Sequence, residues 1–184
     1  MFLIHAFAVL LLTDLVSGVV HWAEDTFGTE RTPVVGPLII APNEEHHARP
    51  AAMVAKSWWQ TSWELWCASA AIVVVAWALG ALTWEVGLFA ALCANANQVH
   101  KWTHMRRRDV PRPVRWAQRA GLLQSPRGHA AHHRGAKNTH YCTLTDWLNP
   151  LLERVNFWRR LESVTVPLFG APRRADLARP GTRE

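Results

Sequence analysis

Histidine is concentrated in one short stretch of the chain, RGHAAHHRGAKNTHYC at residues 127–142, where four of the sixteen residues are histidine. This side chain titrates near neutral pH and is the commonest metal ligand in proteins. Spacings of three and four residues place His132 and His133 on the same side of a helical turn as His129. The stretch therefore predicts part of a metal site, which ligands from elsewhere in the chain must complete.

Two other segments carry paired histidines. In NQVHKWTH, His100 and His104 are four residues apart and share a helix face with Asn97. In EEHHARP, His46 and His47 are adjacent. Taken alone, such a pair is more typical of solvated histidines than of a metal site, so the prediction depends on their convergence.

A polar stripe runs along the N-terminal apolar segment FLIHAFAVLLLTDLVSGVVHW. Asp14, Gly18, His21 and Asp25 are spaced by four, three and four residues, which keeps them within about 60° on a helix. A carboxylate inside an apolar span is costly unless it is paired or functional, so Asp14 is either a supporting carboxylate or a hydrogen-bonded tie between helices. His21 with Asp25 one turn later matches a metal ligand oriented by a carboxylate.

Three apolar runs must position these residues: 2–22, 62–82 and 84–102. At 1.5 Å per residue, each is about long enough to cross a hydrocarbon core of roughly 30 Å. The first lacks a basic n-region, which predicts a retained helix and not a cleaved signal. A turn near Thr83 would join the other two as a hairpin. The sequence predicts an all-α integral membrane bundle of about three spans; a soluble bundle of very apolar helices is the alternative.

The distribution of charge predicts the orientation of this bundle. Residues 1–100 hold three basic and eight acidic side chains, whereas residues 101–184 hold seventeen and six. Because basic loops stay cytoplasmic, we expect the N-terminus outside, and the loop 23–61 and the C-terminal region inside. Residues 114–123 are too short to span and predict an interfacial helix. Nine of the ten histidines then lie on the cytoplasmic side.

Several other functional classes lack support in the sequence. The three cysteines have no C-x-x-C spacing, so neither a zinc ribbon nor a disulfide framework is indicated. The basic half carries no nucleic-acid-binding motif, and we expect no nucleic-acid partner. A haem-binding electron carrier would need histidines paired inside the spans, and a metal transporter would need polar groups across them. These two stay as alternatives of a different class.

Without His5 and His140, eight histidines remain, which suits two metal ions with positions open to an oxidant. Imidazole does not choose among iron, zinc and copper. Apolar helices above the cluster can hold an acyl or alkyl chain, and oxidation of an unactivated C–H bond requires a metal-derived oxidant. The candidate ligands are His21, His46, His47, His100, His104, His129, His132 and His133.

These segments resemble the membrane lipid desaturase family, which includes plasmanylethanolamine desaturases and a plastid phosphatidylglycerol desaturase. The resemblance is carried by DLVSGVVHWAEDTFG, EEHHARP, NQVHKWTH and HAAHHRGAKNTHYCTLTDWLNPLLERVNFWRRLE. We expect one desaturase domain over residues 1–170. Residues 171–184 are rich in Pro, Arg and Gly and predict a flexible tail.

The resemblance implies a non-haem diiron centre held by the eight histidines, O2 as oxidant and electrons from an external donor. That donor would be a cytochrome b5 or a ferredoxin with its reductase. Asp14 and Asp25 are implied as supporting carboxylates, and Asn97 completes the predicted catalytic residues. The implied reaction introduces a C=C bond into an alkyl-ether or acyl chain of a membrane phospholipid, for example from plasmanyl to plasmenyl lipid. A lipid hydroxylase with the same centre is the alternative.

The sequence also departs from the ether-lipid branch of this family. Gly128 and Lys137 stand where that branch is expected to carry further histidines, and His140 stands in place of an aromatic residue. These departures leave the choice between ether and acyl substrates open, and the role of His140 with it. The basic region from Arg106 onward is expected to face anionic lipid heads and an acidic electron donor.

Overall fold

The structure, a computed structural model, describes residues 1–134 and 137–169. Within these ranges the chain is helical and contains no β-strand, which confirms the all-α prediction. The predicted tail, residues 171–184, lies outside the described residues. The helices are α1 (Phe2–Phe27), α2 (Ala41–Ala48), α3 (Pro50–Ala55), α4 (Trp58–Ala78), α5 (Trp84–His104), α6 (Arg112–Arg119), α7 (Pro126–His132), α8 (Leu148–Arg154) and α9 (Phe157–Phe169), with a π-helical segment (Gly36–Ile40) before α2.

The three long helices form where the apolar runs predicted them. α1 continues beyond residue 22 to Phe27, so the whole polar stripe lies on one helix. α4 begins with a capping box, in which the Ser57 hydroxyl accepts from the Gln60 amide and the Gln60 side chain accepts from the Ser57 amide. Gly80, with φ 66°, and the Thr83 cap of α5 make the predicted turn of the hairpin.

Helices α1 and α4 are both long and apolar enough to cross a membrane. They also present large apolar side chains on the outside of the bundle, including Leu3 and Ile4 on α1 and Val74 and Val75 on α4. A soluble bundle would bury such surfaces, so they favour the membrane bundle. α5 has the same length as α4 but is polar toward its C-terminal end, and a third span stays a prediction.

α5 lies at the centre of the fold and packs against both α1 and α4. α3 and α7 also contact it, which brings the loop between α1 and α4 and the histidine-rich region to the same end of the bundle. The helix predicted over residues 114–123 forms as α6, which ends before Gly121 (φ 72°) and exposes Trp116, and its interfacial position stays a prediction.

An irregular but buried segment, residues 139–145, packs directly on α1. Tyr141 and Cys142 are fully buried in a cluster with Trp22 and Trp158. The contact is closest at Gly18, where an added Cβ would lie 2.7 Å from the Cys142 sulfur and 3.1 Å from the Trp158 ring. Gly18 has no side chain and therefore leaves space on α1 for the segment 139–145 to pack.

We expect Gly18→Ala to lower the free energy of unfolding by about 1–3 kcal/mol, because the methyl group overpacks this contact. Cys142→Ala in the same chain should restore part of the loss by removing the sulfur atom. Thermal unfolding in detergent measures both effects. Gly87→Ala is the matched control, since a Cβ there meets nothing within 4 Å. Equal effects of the two glycine substitutions would contradict the packing argument.

Candidate metal centre

The structure brings all eight predicted histidines together in two neighbouring groups. The five-histidine group contains His46, His100, His104, His129 and His133, and the three-histidine group contains His21, His47 and His132 with Asp25. Within each group, every residue offers one ligand atom, and these atoms lie within 4.8 Å of one another. The arrangement could hold one metal ion in each group.

Adjacent histidines in the sequence belong to different groups. Consecutive residues on a helix point about 100° apart, so on α2 His46 faces one group and His47 the other. The same separation divides His132 from His133 at the end of α7, which corrects the prediction that both lie on the same side of a helical turn as His129. Their ring centroids are 5.5 and 5.4 Å apart, respectively. The H-H pairs in the sequence thus hold the two groups side by side.

Helix α7 is fixed at its start by hydrogen bonds. The Ser125 hydroxyl caps it by accepting from the Gly128 amide at 3.0 Å, and Asp146 accepts from the Ser125 amide at 3.2 Å. A Cβ on Gly128 would lie 2.0 Å from a carboxylate oxygen of Asp146. A side chain at this first departure from the ether-lipid branch would therefore displace the Asp146 carboxylate from its bond to the Ser125 amide. At the second departure from that branch, Lys137 donates to the backbone oxygen of His47 at 3.1 Å.

Burial keeps the imidazoles in the form that metals bind. Burial, reinforced by neighbouring imidazoles, lowers the pKa of His46 to about 2 and that of His133 to about 3. The pKa values of His47, His129 and His132 are lowered for the same reasons. These side chains are therefore neutral at physiological pH, as coordination requires.

The donor atoms fit a metal better than they fit one another. In the five-histidine group, Nε2 of His129 lies 2.8 Å from Nε2 of His100 and 2.9 Å from Nε2 of His133. Both ring nitrogens of His46 are buried and have no hydrogen-bond partner among the described residues. Buried nitrogens without partners are costly, and a cation at their centre would satisfy them. An all-imidazole set suits iron, zinc or copper.

The three-histidine group has a carboxylate at its edge. Asp25 Oδ2 lies 3.5 Å from His132 Nε2 and 3.8 Å from His21 Nε2, while Asp25 Oδ1 accepts from Asn43 Nδ2 at 2.7 Å. Asp25 can therefore act as a ligand or as an orienting carboxylate. Asn43 was not predicted as a site residue, although its position one turn before His46 and His47 on α2 places it near the same helix face.

The other predicted residues lie outside both groups. Asp14 accepts from the Leu144 amide and the Thr145 hydroxyl, at 2.8 and 2.5 Å. Asn97 joins α5 to α4 by donating to the Thr61 carbonyl at 2.6 Å. His140, whose role the sequence left open, has its ring nitrogen 2.8 Å from the Thr139 hydroxyl and belongs to neither group.

A cavity of about 340 Å³ lies between α1, α4, α5 and the loop segment 38–56. Its wall includes histidines from both groups: His21, His46 and His100. Val16 on α1, Leu65 and Ala68 on α4 and Cys93 on α5 make one end apolar. At the histidine end, the lining is mixed: the apolar residues Leu38, Ile39 and Met53 lie beside the polar and charged residues Glu24, Asn43, Glu45, Lys56, Gln60 and Glu64.

Comparison with known proteins identifies the family. The lipid desaturase domain model matches residues 10–176, which is most of the chain. The chain belongs to the lipid desaturase family. This confirms the resemblance seen in the sequence, and the family together with the two apolar helices favours a membrane protein.

Curated relatives come from both branches. Plasmanylethanolamine desaturase 1 of Mus musculus is 32% identical over 90% of this chain and 65% of its own length. A probable fatty acid desaturase of Acanthamoeba polyphaga mimivirus is 32% identical over 90% of this chain and 82% of its own. Fatty acid desaturase 4, chloroplastic, of Arabidopsis thaliana is 34% identical over 86% of this chain and 50% of its own. No solved structure matches.

We expect His46→Ala to lower metal affinity by more than the roughly 10–100-fold that loss of an outer hydrogen-bond partner costs, because it removes a donor atom. Metal content of purified protein, measured by elemental analysis, tests this. His5→Ala is the matched control, since His5 lies near the N-terminal end of α1 and pairs with Glu85. Unchanged metal content in His46→Ala would remove this residue from the site.

Proposed function

We propose that the protein is a membrane lipid desaturase that uses a diiron centre and O2 to introduce a C=C bond into an alkyl-ether or acyl chain of a phospholipid. One observation carries this proposal. A single cavity with an apolar end includes histidines of both groups in its wall. A lipid chain in that cavity would pass directly beside both metal positions.

The polarity of the cavity suggests how the lipid is oriented. Leu65, Ala68 and Val16 would surround the hydrocarbon chain, whereas Lys56 and Glu45, an ion pair at 3.3 Å, would lie at the phospholipid head. His21 and His46 lie toward the polar end. The bond to be oxidised would therefore be close to the head group, as in the conversion of a plasmanyl to a plasmenyl lipid.

The proposed reaction needs external electrons. Formation of the double bond removes two electrons and two protons from the lipid, and reduction of O2 to two waters consumes four of each. An external donor therefore supplies two electrons, and solvent supplies two protons. Iron bound in the two groups would supply the oxygen activation that a side-chain base cannot.

The protein's own residues would hold the metal ions and exclude water from the reacting carbon. The imidazoles of His129 and His132 are buried, so water reaches the reacting carbon less readily. A cytochrome b5 or ferredoxin is the proposed donor. The arginine-rich surface formed by Arg106, Arg107, Arg108 and Arg112 follows the ligand-bearing end of α5 and is exposed, so it offers an acidic donor a docking position near His104.

Orientation in the membrane is part of the proposal, with three spans, an outside N-terminus and a cytoplasmic histidine cluster. Single-cysteine variants test it after Cys67 and Cys93 are replaced by alanine, because the remaining Cys142 is fully buried. In right-side-out vesicles, an impermeant thiol reagent should label Leu82→Cys at once and Arg108→Cys only after permeabilisation. The reverse pattern would contradict the orientation.

Lipid mass spectrometry tests the reaction itself. Cells with a working reductase are supplied with an ether-lipid precursor and express the intact protein, His132→Ala or the control His5→Ala. We expect a phospholipid lacking two hydrogen atoms with the intact protein and the control only, and acid lability of the product would identify a vinyl ether. Gain of one oxygen atom would indicate hydroxylation. No change with folded, metal-loaded protein would contradict lipid oxidation of the supplied substrates.

A further inference from the structure

Backbone carbonyl groups of the segment 139–145 orient two of the ligands in the three-histidine group. The Thr139 oxygen lies 2.7 Å from His132 Nδ1, and the Tyr141 oxygen lies 3.2 Å from His21 Nδ1. Because a carbonyl oxygen only accepts, each Nδ1 must carry the ring hydrogen. The Nε2 atoms of both rings are left with a lone pair, and they lie 3.0 and 3.4 Å from Nε2 of His47.

The residue between these two carbonyl groups has an unusual backbone conformation. His140 has a φ of 58°, in the left-handed region that few residues other than glycine adopt. Its amide donates to the Glu153 carboxylate on α8 at 3.2 Å. The backbone turn at His140 therefore has to be held by the surrounding structure, since it is not an intrinsically favoured conformation.

Two residues after His140, buried side chains bind both the amide and the carbonyl group of Cys142. Asn149 on α8 accepts from its amide at 3.0 Å and donates to its carbonyl at 2.9 Å. Gln124 also donates to that carbonyl, at 2.6 Å. Asn149 is 2% exposed and Gln124 is fully buried, so solvent cannot replace these bonds. The position of the Tyr141 carbonyl is thus fixed by Asn149, a side chain that belongs to neither histidine group.

Asp14 holds the end of the same segment. Its carboxylate, fully buried in α1, accepts from the Leu144 amide and the Thr145 hydroxyl. Asp14 and His21 lie on one helix, seven positions apart, so the carboxylate ties the segment to the helix that also carries the ligand. A cross-link of this kind sets the distance between the carbonyl groups and the imidazole rings that they orient.

We propose that Asp14 and Asn149 are positioning residues for the three-histidine group: they fix the segment 139–145, whose carbonyl groups orient His21 and His132 toward a metal. This inference rests on the metal centre of the proposed function. Outer hydrogen-bond partners of metal-bound histidines fix ring orientation and tautomer, and their loss weakens metal binding. The five-histidine group receives no such carbonyl bond from the segment among the described residues, so the effect is confined to one group.

Titration of metal-free protein with Co²⁺, followed by absorption, separates the two groups. The wild-type protein should bind two Co²⁺ ions in two phases, which His133→Ala and His47→Ala assign to the five- and three-histidine groups. In Asp14→Asn only one oxygen acceptor remains, so the side chain can no longer accept from both the Leu144 amide and the Thr145 hydroxyl. We expect roughly 10–100-fold weaker binding in the three-histidine phase and an unchanged five-histidine phase.

Asn149→Ser should weaken the same phase, and Thr145→Val should do so to a smaller extent because the Leu144 bond to Asp14 remains. Thr145→Val also keeps the test available if Asp14→Asn does not fold. Val110→Ala is the control: it removes buried apolar volume outside both groups and the segment, and it should lower the melting temperature without separating the phases.

The outcomes are distinct. Two normal phases in Asp14→Asn, Asn149→Ser and Thr145→Val would overturn the positioning role and leave the proposed function intact. Equal weakening of both phases, with a lower melting temperature as in Val110→Ala, would reduce Asp14 and Asn149 to general stabilisers. Failure of the wild-type protein to bind Co²⁺ would contradict the metal centre and, with it, this inference.

Discussion

The whole structure depends on burying neutral imidazole groups whose nitrogens face one another. Such an arrangement is unfavourable by itself, because lone pairs approach within about hydrogen-bond distance and several ring nitrogens have no partner in the described part of the chain. A protein keeps such a cluster only if the surrounding helices prevent its relaxation. Here the ligands are distributed over α1, α2, α5, α7 and the residue after α7. No one helix can move away without moving a neighbour.

The packing of the bundle keeps the imidazole groups in place. α5 contacts both other long helices, and the buried segment 139–145 fills the gap that Gly18 leaves on α1. The cavity then opens beside the same histidines, and two of its charged lining residues, Glu45 and Lys56, lie in the segment 38–56 that contains α2 and α3. In the proposed function, one arrangement of helices thus sets both the metal positions and the path of a hydrocarbon chain.

Much of this was predictable from periodicity and residue chemistry. The helical spacing of His100 with His104, and of His129 with His133, correctly placed each pair on one side of a helix. Helix existence and the hairpin followed from apolar run length and the turn before Thr83. The family assignment followed from the four histidine-bearing segments together, since each pair alone was a weak signal.

Other features were outside the reach of the sequence. Adjacent His46 and His47 point about 100° apart on α2, but which of the two groups each one joins depends on how α2 packs in the tertiary structure. The orienting groups at Thr139 and Tyr141 are backbone carbonyls, so no side chain marks them. The sequence left Asp14 open between a supporting carboxylate and a hydrogen-bonded tie. The tertiary structure supplies its partner, the Leu144 amide, and so favours the tie.

The proposed function requires that the two histidine groups hold two iron ions side by side. An experimental structure of the iron-loaded protein, with anomalous difference maps at the iron absorption edge, tests it most directly. The proposed diiron centre predicts two anomalous peaks, one among His46, His100, His104, His129 and His133 and the other among His21, Asp25, His47 and His132. A single peak, or iron at a position remote from these residues in fully active protein, would contradict it.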